Sequence, residues 1–252
     1  MATHSFPTGP DGPHASNDVA AATAIFAQWE VYKSIIDRDF MRHREISAAI
    51  HAFVKGRFQR RFSLLDLGCG DASAIPHTFA GTPLARYTGV DASAAALEAA
   101  CRNLASAPFD VVLVESDLMA HLTAAAVPDG PRFDVTLAGY VIHHLSIEEK
   151  LRFFASCREV LAPAGALVFY DLFRQPGETR KEFVTAYTEL IATRWGLEGE
   201  ALDNTCRHVQ EHDFPETVAT IAALARDAGF TIPGEERFVD PDGFHRLVCF
   251  AT

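Results

Sequence analysis

From residue 62 onward, short apolar runs alternate with stretches of helical periodicity, and this alternation restricts the possible folds more than any other feature. The runs are Phe62–Leu67, Arg86–Val90, Val111–Val114, Phe133–Leu137 and Ala166–Tyr170. Strands interleaved with amphipathic helices imply βαβ units, hence a parallel sheet with helices on both faces. Ser146 followed by Glu149 predicts a capping box opening a helix that ends near Leu161, and Asp213 with Glu216 predicts another ahead of a helix ending at Gly229. Two later apolar runs, Phe230–Val239 and Phe244–Ala251, flank Asp240, Pro241, Asp242 and Gly243, a turn composition, so an antiparallel hairpin should close the sheet. The expected fold class is α/β, with a doubly wound, mostly parallel, seven-stranded sheet.

Other segments frame that sheet. Residues 1–17 carry three prolines and two glycines among few apolar groups and are expected to form a disordered tail. Over residues 18–58 apolar side chains recur at helical spacing (Ile25, Trp29, Tyr32, Ile36, Phe40, then Ile46, Ile50, Phe53), predicting an N-terminal helical cap. Residues 175–212 exceed an ordinary connection and place Phe183, Tyr187, Leu190 and Arg194 on one helical face, which predicts a helical lid inserted into the main domain of residues 59–252.

Composition narrows the partners. With 48% apolar and 22% charged residues, the chain can bury a large core. No apolar run reaches the length of a membrane helix and the N-terminus lacks a secretory pattern, so a cytoplasmic protein without membrane contact is expected. Five scattered cysteines, none in a C-x-x-C arrangement, suggest neither a disulfide framework nor a cysteine metal site. The net charge of −11 opposes nucleic-acid binding, and Lys55, Arg57, Arg60 and Arg61 read as a solvated helix end.

The strongest chemical signal runs from Leu64 to Ser73, where an apolar strand containing Asp66 ends in Gly68, Cys69 and Gly70 and leads into a helix. Glycines let a backbone approach a ligand closely at the carboxyl end of a sheet. Asp91, with Ala92 beside it, closes the second strand 21 residues after Gly70, where a carboxylate accepts both hydrogens of a ribose diol. Ser116, Asp117 and Leu118 close the third strand; a carboxylate there accepts adenine amino hydrogens while the leucine packs on the ring.

These residues resemble the class I S-adenosylmethionine-dependent methyltransferases over about residues 62–174, and the terminal hairpin fits that family's antiparallel last strand. The family's motif, an acid followed by G-x-G-x-G, matches at Asp66, Gly68, Cys69 and Gly70, with Ala72 at the third glycine. The resemblance implies a Rossmann-like methyltransferase domain, S-adenosyl-L-methionine as cofactor and a small-molecule acceptor. It sets Asp66 to Gly70 against the methionyl part, Asp91 at the ribose, and Asp117 with Leu118 at the adenine. Ala138, Gly139 and Tyr140 then lie near the sulfonium, where backbone oxygens or an aromatic face favour a cation. A nicotinamide-dependent dehydrogenase is the alternative enzyme; its third glycine falls at Ser73, and its motif asks for no acid at position 66. A protein that binds the nucleoside cofactor without turnover is the alternative from another class.

Histidines supply the catalytic candidates. His143 follows the fourth strand, beside the expected methyl donor, and its imidazole can take a proton from an attacking hydroxyl or amine. Its neighbour His144 is a weaker candidate. Tyr32, Ile36, Asp39 and His43 form one stripe of a helix, so Tyr32 and His43 are expected to line the acceptor pocket. His208 to His212 match an H-x-x-E-H pattern, but without an evident third ligand they read as polar helix residues, and no metal is expected.

Overall fold

A computed structural model describes Ile35 and residues 38–127, 130–231 and 235–252. Contacts divide the chain into two units, residues 1–40 and 41–252. In the first unit, Arg38 lies 6.0 Å over the Phe40 ring; the tail of residues 1–17 and nearly all of the predicted cap before residue 38 lie outside the described residues.

The second unit opens with α1 (His43–Arg57), whose buried stripe is Ile46, Ile50 and Val54. The sheet follows: β1 (Phe62–Leu67), β2 (Leu84–Asp91), β3 (Asp110–Glu115), β4 (Phe133–Gly139), β5 (Leu161–Arg174), β7 (Glu235–Val239) and β8 (His245–Ala251) lie in the order β3-β2-β1-β4-β5-β8-β7. The first five are parallel, and β8 runs antiparallel to both β5 and β7. A two-residue strand, β6 (Glu216–Thr217), extends the far end of β5. The predicted order of runs is therefore present as a doubly wound, mostly parallel sheet.

Between strands lie α2 (Ile75–Thr78), α3 (Ala94–Asn103), α4 (Leu118–Ala125), α5 (Ile147–Val160), α6 (Arg180–Arg194), α7 (Gly199–His212) and α8 (Val218–Asp227). One core cluster joins α5 through Phe153, Phe154 and Cys157 to Ile221 and Ala225 of α8 and to Leu167 and Phe169 of β5. These side chains repeat at helical spacing on α5 and at every second residue on β5, which sets each element's inward face.

Several local expectations change. Asp39 and His43 do not share one helix, because Asp39 and Arg42 adopt left-handed φ of 59° and 61°, which a right-handed helix cannot pass through, and Tyr32 and Ile36 of the predicted stripe lie outside the described residues. α1 starts afresh at His43. The Ser146–Glu149 capping box is present, but Thr217 rather than Asp213 caps α8, accepting from Thr220 N at 3.1 Å. On α6 the buried face is Phe183, Tyr187 and Ile191, every fourth residue, so Leu190 is only partly covered and Arg194 reaches out to Asp242 at 2.7 Å. No described helix is long and apolar enough to cross a membrane.

Candidate active site

The carboxyl end of β1 builds the glycine loop. Gly68, Gly70 and Ala72 all take left-handed φ, 73°, 54° and 50°. A Cβ on Gly68 would sit 2.4 Å from Val141 Cγ1, so the loop and the segment after β4 touch only because that side chain is missing. A Cβ on Gly70 would meet nothing within 4 Å, leaving open space against this backbone. Ala72 holds the third left-handed position at a steric cost of about 1 kcal/mol. Its buried methyl returns about 0.8 kcal/mol, so Ala72→Gly should leave the urea midpoint nearly unchanged. A loss above about 1 kcal/mol would show the methyl's packing to outweigh the strain.

Asp91, at the end of β2, secures the loop from below. Its Oδ2 accepts from Gly70 N and its Oδ1 from Ser93 N, both at 2.8 Å. Ala92 beside it is exposed, and Ser93 caps α3. From the next strand, Ser116 N donates to Asp91 O at 3.0 Å. Asp117 caps α4, with Oδ1 accepting from Met119 N and Ala120 N at 3.0 and 2.9 Å, and Leu118 packs on the core. Glycine loop, Asp91 and Ser116–Asp117 thus form one hydrogen-bonded ridge along the strand ends.

Asp66 lies beneath that ridge, 5% exposed, and accepts from Tyr87 Oη at 2.8 Å. Burial pushes its carboxyl up to about 7; the Tyr87 hydrogen bond opposes the shift and the charge of Asp91 adds to it. The sign of the pH dependence follows. Across roughly pH 4 to 7 the native protein keeps a proton that the unfolded chain has released, so stability falls as pH rises through this window. A cationic ligand group favours the ionised form, so affinity for a ligand carrying an ammonium should rise with pH up to and just beyond 7. Calorimetry at pH 6 and 8 reads this; Asp66→Asn should abolish the difference.

The end of β4 is stereochemically tight. A Cβ on Gly139 would lie 2.0 Å from Tyr170 Cζ. Tyr140 has a left-handed φ of 53°, a strained conformation of the kind that collects at functional sites. Its amide donates to Tyr170 O at 2.9 Å, and its hydroxyl bonds Met41 O and lies 3.1 Å from His245 Nδ1. His43 packs edge-on against Tyr140 and Tyr170, with centroids 5.3 and 6.4 Å away. Burial, with the charges of His43 and Arg42, lowers His245 to about 3, so this aromatic group stays neutral.

Beyond Tyr140, Ile142–His144 make one 3-10 turn. His143 is buried; its Nδ1 bonds Asp171 Oδ1, while Asp171 Oδ2 accepts from Ile142 N and His143 N at 2.9 and 3.0 Å. Burial works against charge on the imidazole, but Asp171 and Asp213 outweigh it and hold its pKa above the ordinary value. Lys150, 1% exposed, ties this turn to the chain after α7 by donating to Leu145 O and, at 2.8 Å, to Phe214 O.

The described site thus gathers Asp66, Gly68, Cys69, Gly70, Asp91, Ala92, Ser116, Asp117, Leu118, Ala138, Gly139 and Tyr140 at the carboxyl ends of four adjacent strands. His43 joins them through Tyr140, and Tyr32 lies outside the described residues. Sequence reasoning missed Tyr87, Tyr170 and Asp171. Asp171 carried a signal: it is a further acid in an apolar strand, like Asp66, where burial requires a partner.

A family model for methyltransferase domains matches residues 65–167. No curated protein sequence matches the chain significantly. Among solved structures, the chain is similar to magnesium protoporphyrin IX methyltransferase of Synechocystis with bound S-adenosylhomocysteine, at 13% identity and TM-score 0.60, covering 89% of this chain and 94% of that one. The 1,6-didemethyltoxoflavin-N1-methyltransferase of Burkholderia thailandensis, solved with its acceptor and S-adenosylhomocysteine, shares 17% identity at TM-score 0.57, over 98% and 93% of the two chains. An O-methyltransferase family protein of the same organism shares 14% at TM-score 0.59, over 86% and 57%. The chain spans only 50–67% of the length of four further solved chains that it matches. At these identities the likeness establishes the fold. The family model runs from β1 into β5, through the glycine loop and the acids that line it. Residues 65–167 thus match a methyltransferase domain, and the sheet that carries them has the Rossmann-like fold of the solved methyltransferases it resembles.

Proposed function

We propose that the protein transfers a methyl group from S-adenosyl-L-methionine to a small-molecule acceptor. The observation that carries this reading is the ridge itself: a glycine loop with three left-handed residues, pinned by Asp91 and flanked by acids at successive strand ends. The donor set suits the cofactor's groups. Asp66 offers a carboxyl near an ammonium, Asp91 has further lone pairs for a diol, and Asp117 keeps Oδ2 for an adenine amine. The open space at Gly70 leaves the backbone accessible to the methionyl part.

When bound, the cofactor supplies an electrophilic methyl carbon on a sulfonium. The chain's own contribution is orientation and exclusion of water. Gly139 and Tyr140, with Tyr170 and His43 behind them, present backbone oxygens and aromatic faces where a positive centre is favoured. Asp171 accepts hydrogen bonds from Nδ1 of His143 and from two amides of the same turn, which gives the acceptor-side loop one shape. The imidazole's Nε2 faces Asp213 rather than open space, so His143 acts here as a positioning residue. Tyr32 and the α6–α7 segment are assigned to the acceptor side on the sequence pattern.

The small-molecule acceptor is supported by the net charge of −11, which disfavours nucleic acid, and by two structural relatives whose names specify small substrates. A cytoplasmic location belongs to the same reading, supported by five scattered cysteines that follow no disulfide spacing pattern. Calorimetry with S-adenosylhomocysteine and, separately, NADH tests the assignment. Micromolar-range binding of the first with none of the second is expected; the reverse would move the protein to the dehydrogenases. Binding without methyl transfer to any of a broad acceptor panel would favour a cofactor-binding protein.

A further inference from the structure

The turn after β4 and the end of α7 converge on one buried oxygen. Asp213 is 2% exposed, yet its Oδ1 accepts no hydrogen bond. Three imidazole nitrogens surround it: His144 Nδ1 at 3.4 Å, His143 Nε2 at 3.7 Å and His208 Nε2 at 3.7 Å. A buried carboxylate oxygen without a donor is strongly disfavoured, so a positive species belongs among these atoms.

A proton and a metal ion are the two candidates, and spacing separates them. An N–H···O bond draws its heavy atoms to about 2.7–3.2 Å, shorter than all three separations. In a tetrahedral zinc site with bonds of about 2.0–2.1 Å, neighbouring donor atoms stand about 3.3–3.4 Å apart; the separations of 3.4 and 3.7 Å are nearer to this spacing than to a hydrogen bond and need a contraction of at most a few tenths of an ångström around Asp213. Ligand atoms of His143, His144 and Asp213 all lie within 4.8 Å of one another. The surroundings also fit. Asp171 accepts from Nδ1 of His143, which leaves the Nε2 lone pair facing the cluster, the arrangement that orients metal-bound histidines. His144 Nδ1 is 3.2 Å from His212 O, so metal binding selects the tautomer with its proton on Nε2.

We propose that His143 Nε2, His144 Nδ1 and Asp213 Oδ1 form a binding site for a divalent transition metal, and that the half-exposed His208, whose Nε2 lies 3.7 Å from Asp213 Oδ1, swings in as fourth ligand when the ion binds, zinc by the character of three nitrogen donors and one oxygen donor. The ion fastens the end of α7 to the turn after β4, joining segments that are distant in sequence. Of the H-x-x-E-H pattern only His208 takes part; Glu211 and His212 stay exposed on α7. The site does not depend on the methyltransferase reading, because metal alone reads it.

The full chain, freed of metal by dialysis against a chelator, is titrated with Co²⁺ and then with Zn²⁺, without cofactor. One equivalent of Co²⁺ should bind with the intense visible absorption of tetrahedral coordination, and Zn²⁺ should bleach it. Asp213→Asn should weaken Zn²⁺ at least tenfold, as should His208→Ala, whose 42% exposed side chain can be removed without opening the core. Asp171→Asn should cost about 10- to 100-fold in affinity, while the double change His4→Ala and His14→Ala should leave binding intact. Failure to bind one equivalent, the pale spectrum of six-coordinate cobalt, or wild-type affinity in the folded His208→Ala and Asp213→Asn variants would overturn the site. Circular dichroism identifies the folded variants, and the wild-type spectrum decides even where a variant does not fold.

Discussion

Asp91→Ala is expected to weaken S-adenosylhomocysteine binding by about 10- to 150-fold, or about 1.5–3 kcal/mol, the range for hydrogen bonds to a charged group. The residue acts twice. In the proposed function its carboxylate receives a diol, and the same two oxygens hold Gly70 N and Ser93 N at 2.8 Å. Removing it therefore loosens the loop as well as deleting a contact. Asp91→Asn keeps one acceptor oxygen and turns an NH₂ group toward the other amide, so its effect should lie nearer to alanine than to wild type. Calorimetry with thermal melts alongside separates lost affinity from lost fold. An unchanged dissociation constant in both variants would remove Asp91 from the site.

Gly139→Ala should lower stability by about 3 kcal/mol, the upper range for overpacking, and the melting temperature by about 6–12 °C for a chain of this size. The reason is steric: the new methyl carbon would stand 2.0 Å from Tyr170 Cζ and 2.2 Å from its hydroxyl oxygen, and the ring that must give way is packed edge-on by Tyr140 and His43. β4 and β5 are in register here, Gly139 opposite Tyr170, between buried neighbours on both sides. A double-mutant cycle with Tyr170→Leu is the sharper measurement. If the clash is the cause, Gly139→Ala should cost much less in the Tyr170→Leu background. Equal costs in both backgrounds would place the strain elsewhere.

Whether a feature was legible in the sequence depended on the range of the interaction behind it. Strand runs were readable because burial in a parallel sheet imposes continuous apolar segments, and β1 begins and ends where its apolar run does, at Phe62 and Leu67. The glycine loop and the acids at 66, 91 and 117 were readable because each lies within a few residues of a strand end, where local composition reports local backbone geometry. Boundaries that depend on a distant partner were not. β5 runs from Leu161 to Arg174, well past its apolar centre, because β8 and β6 supply hydrogen-bonding partners along it.

The acceptor side shows the same division. The helical stripe through Asp39 and His43 failed because apolar and polar spacing does not report a left-handed turn at Asp39 and Arg42. Asp213 looked like a helix cap from its local neighbours, yet it is buried among three imidazoles brought from the turn after β4 and the last turns of α7. By itself the sequence determined the order of elements, their inward faces and the strand ends to which the cofactor is assigned in the proposed function, all set by periodicity and residues close in the chain. Only the tertiary structure decided which distant side chains meet: Tyr87 on Asp66, Tyr170 against Gly139, Asp171 on His143 and the histidines around Asp213. Those contacts depend on strand register and helix packing, whose energy comes from contacts between residues far apart in sequence, so no local pattern records them.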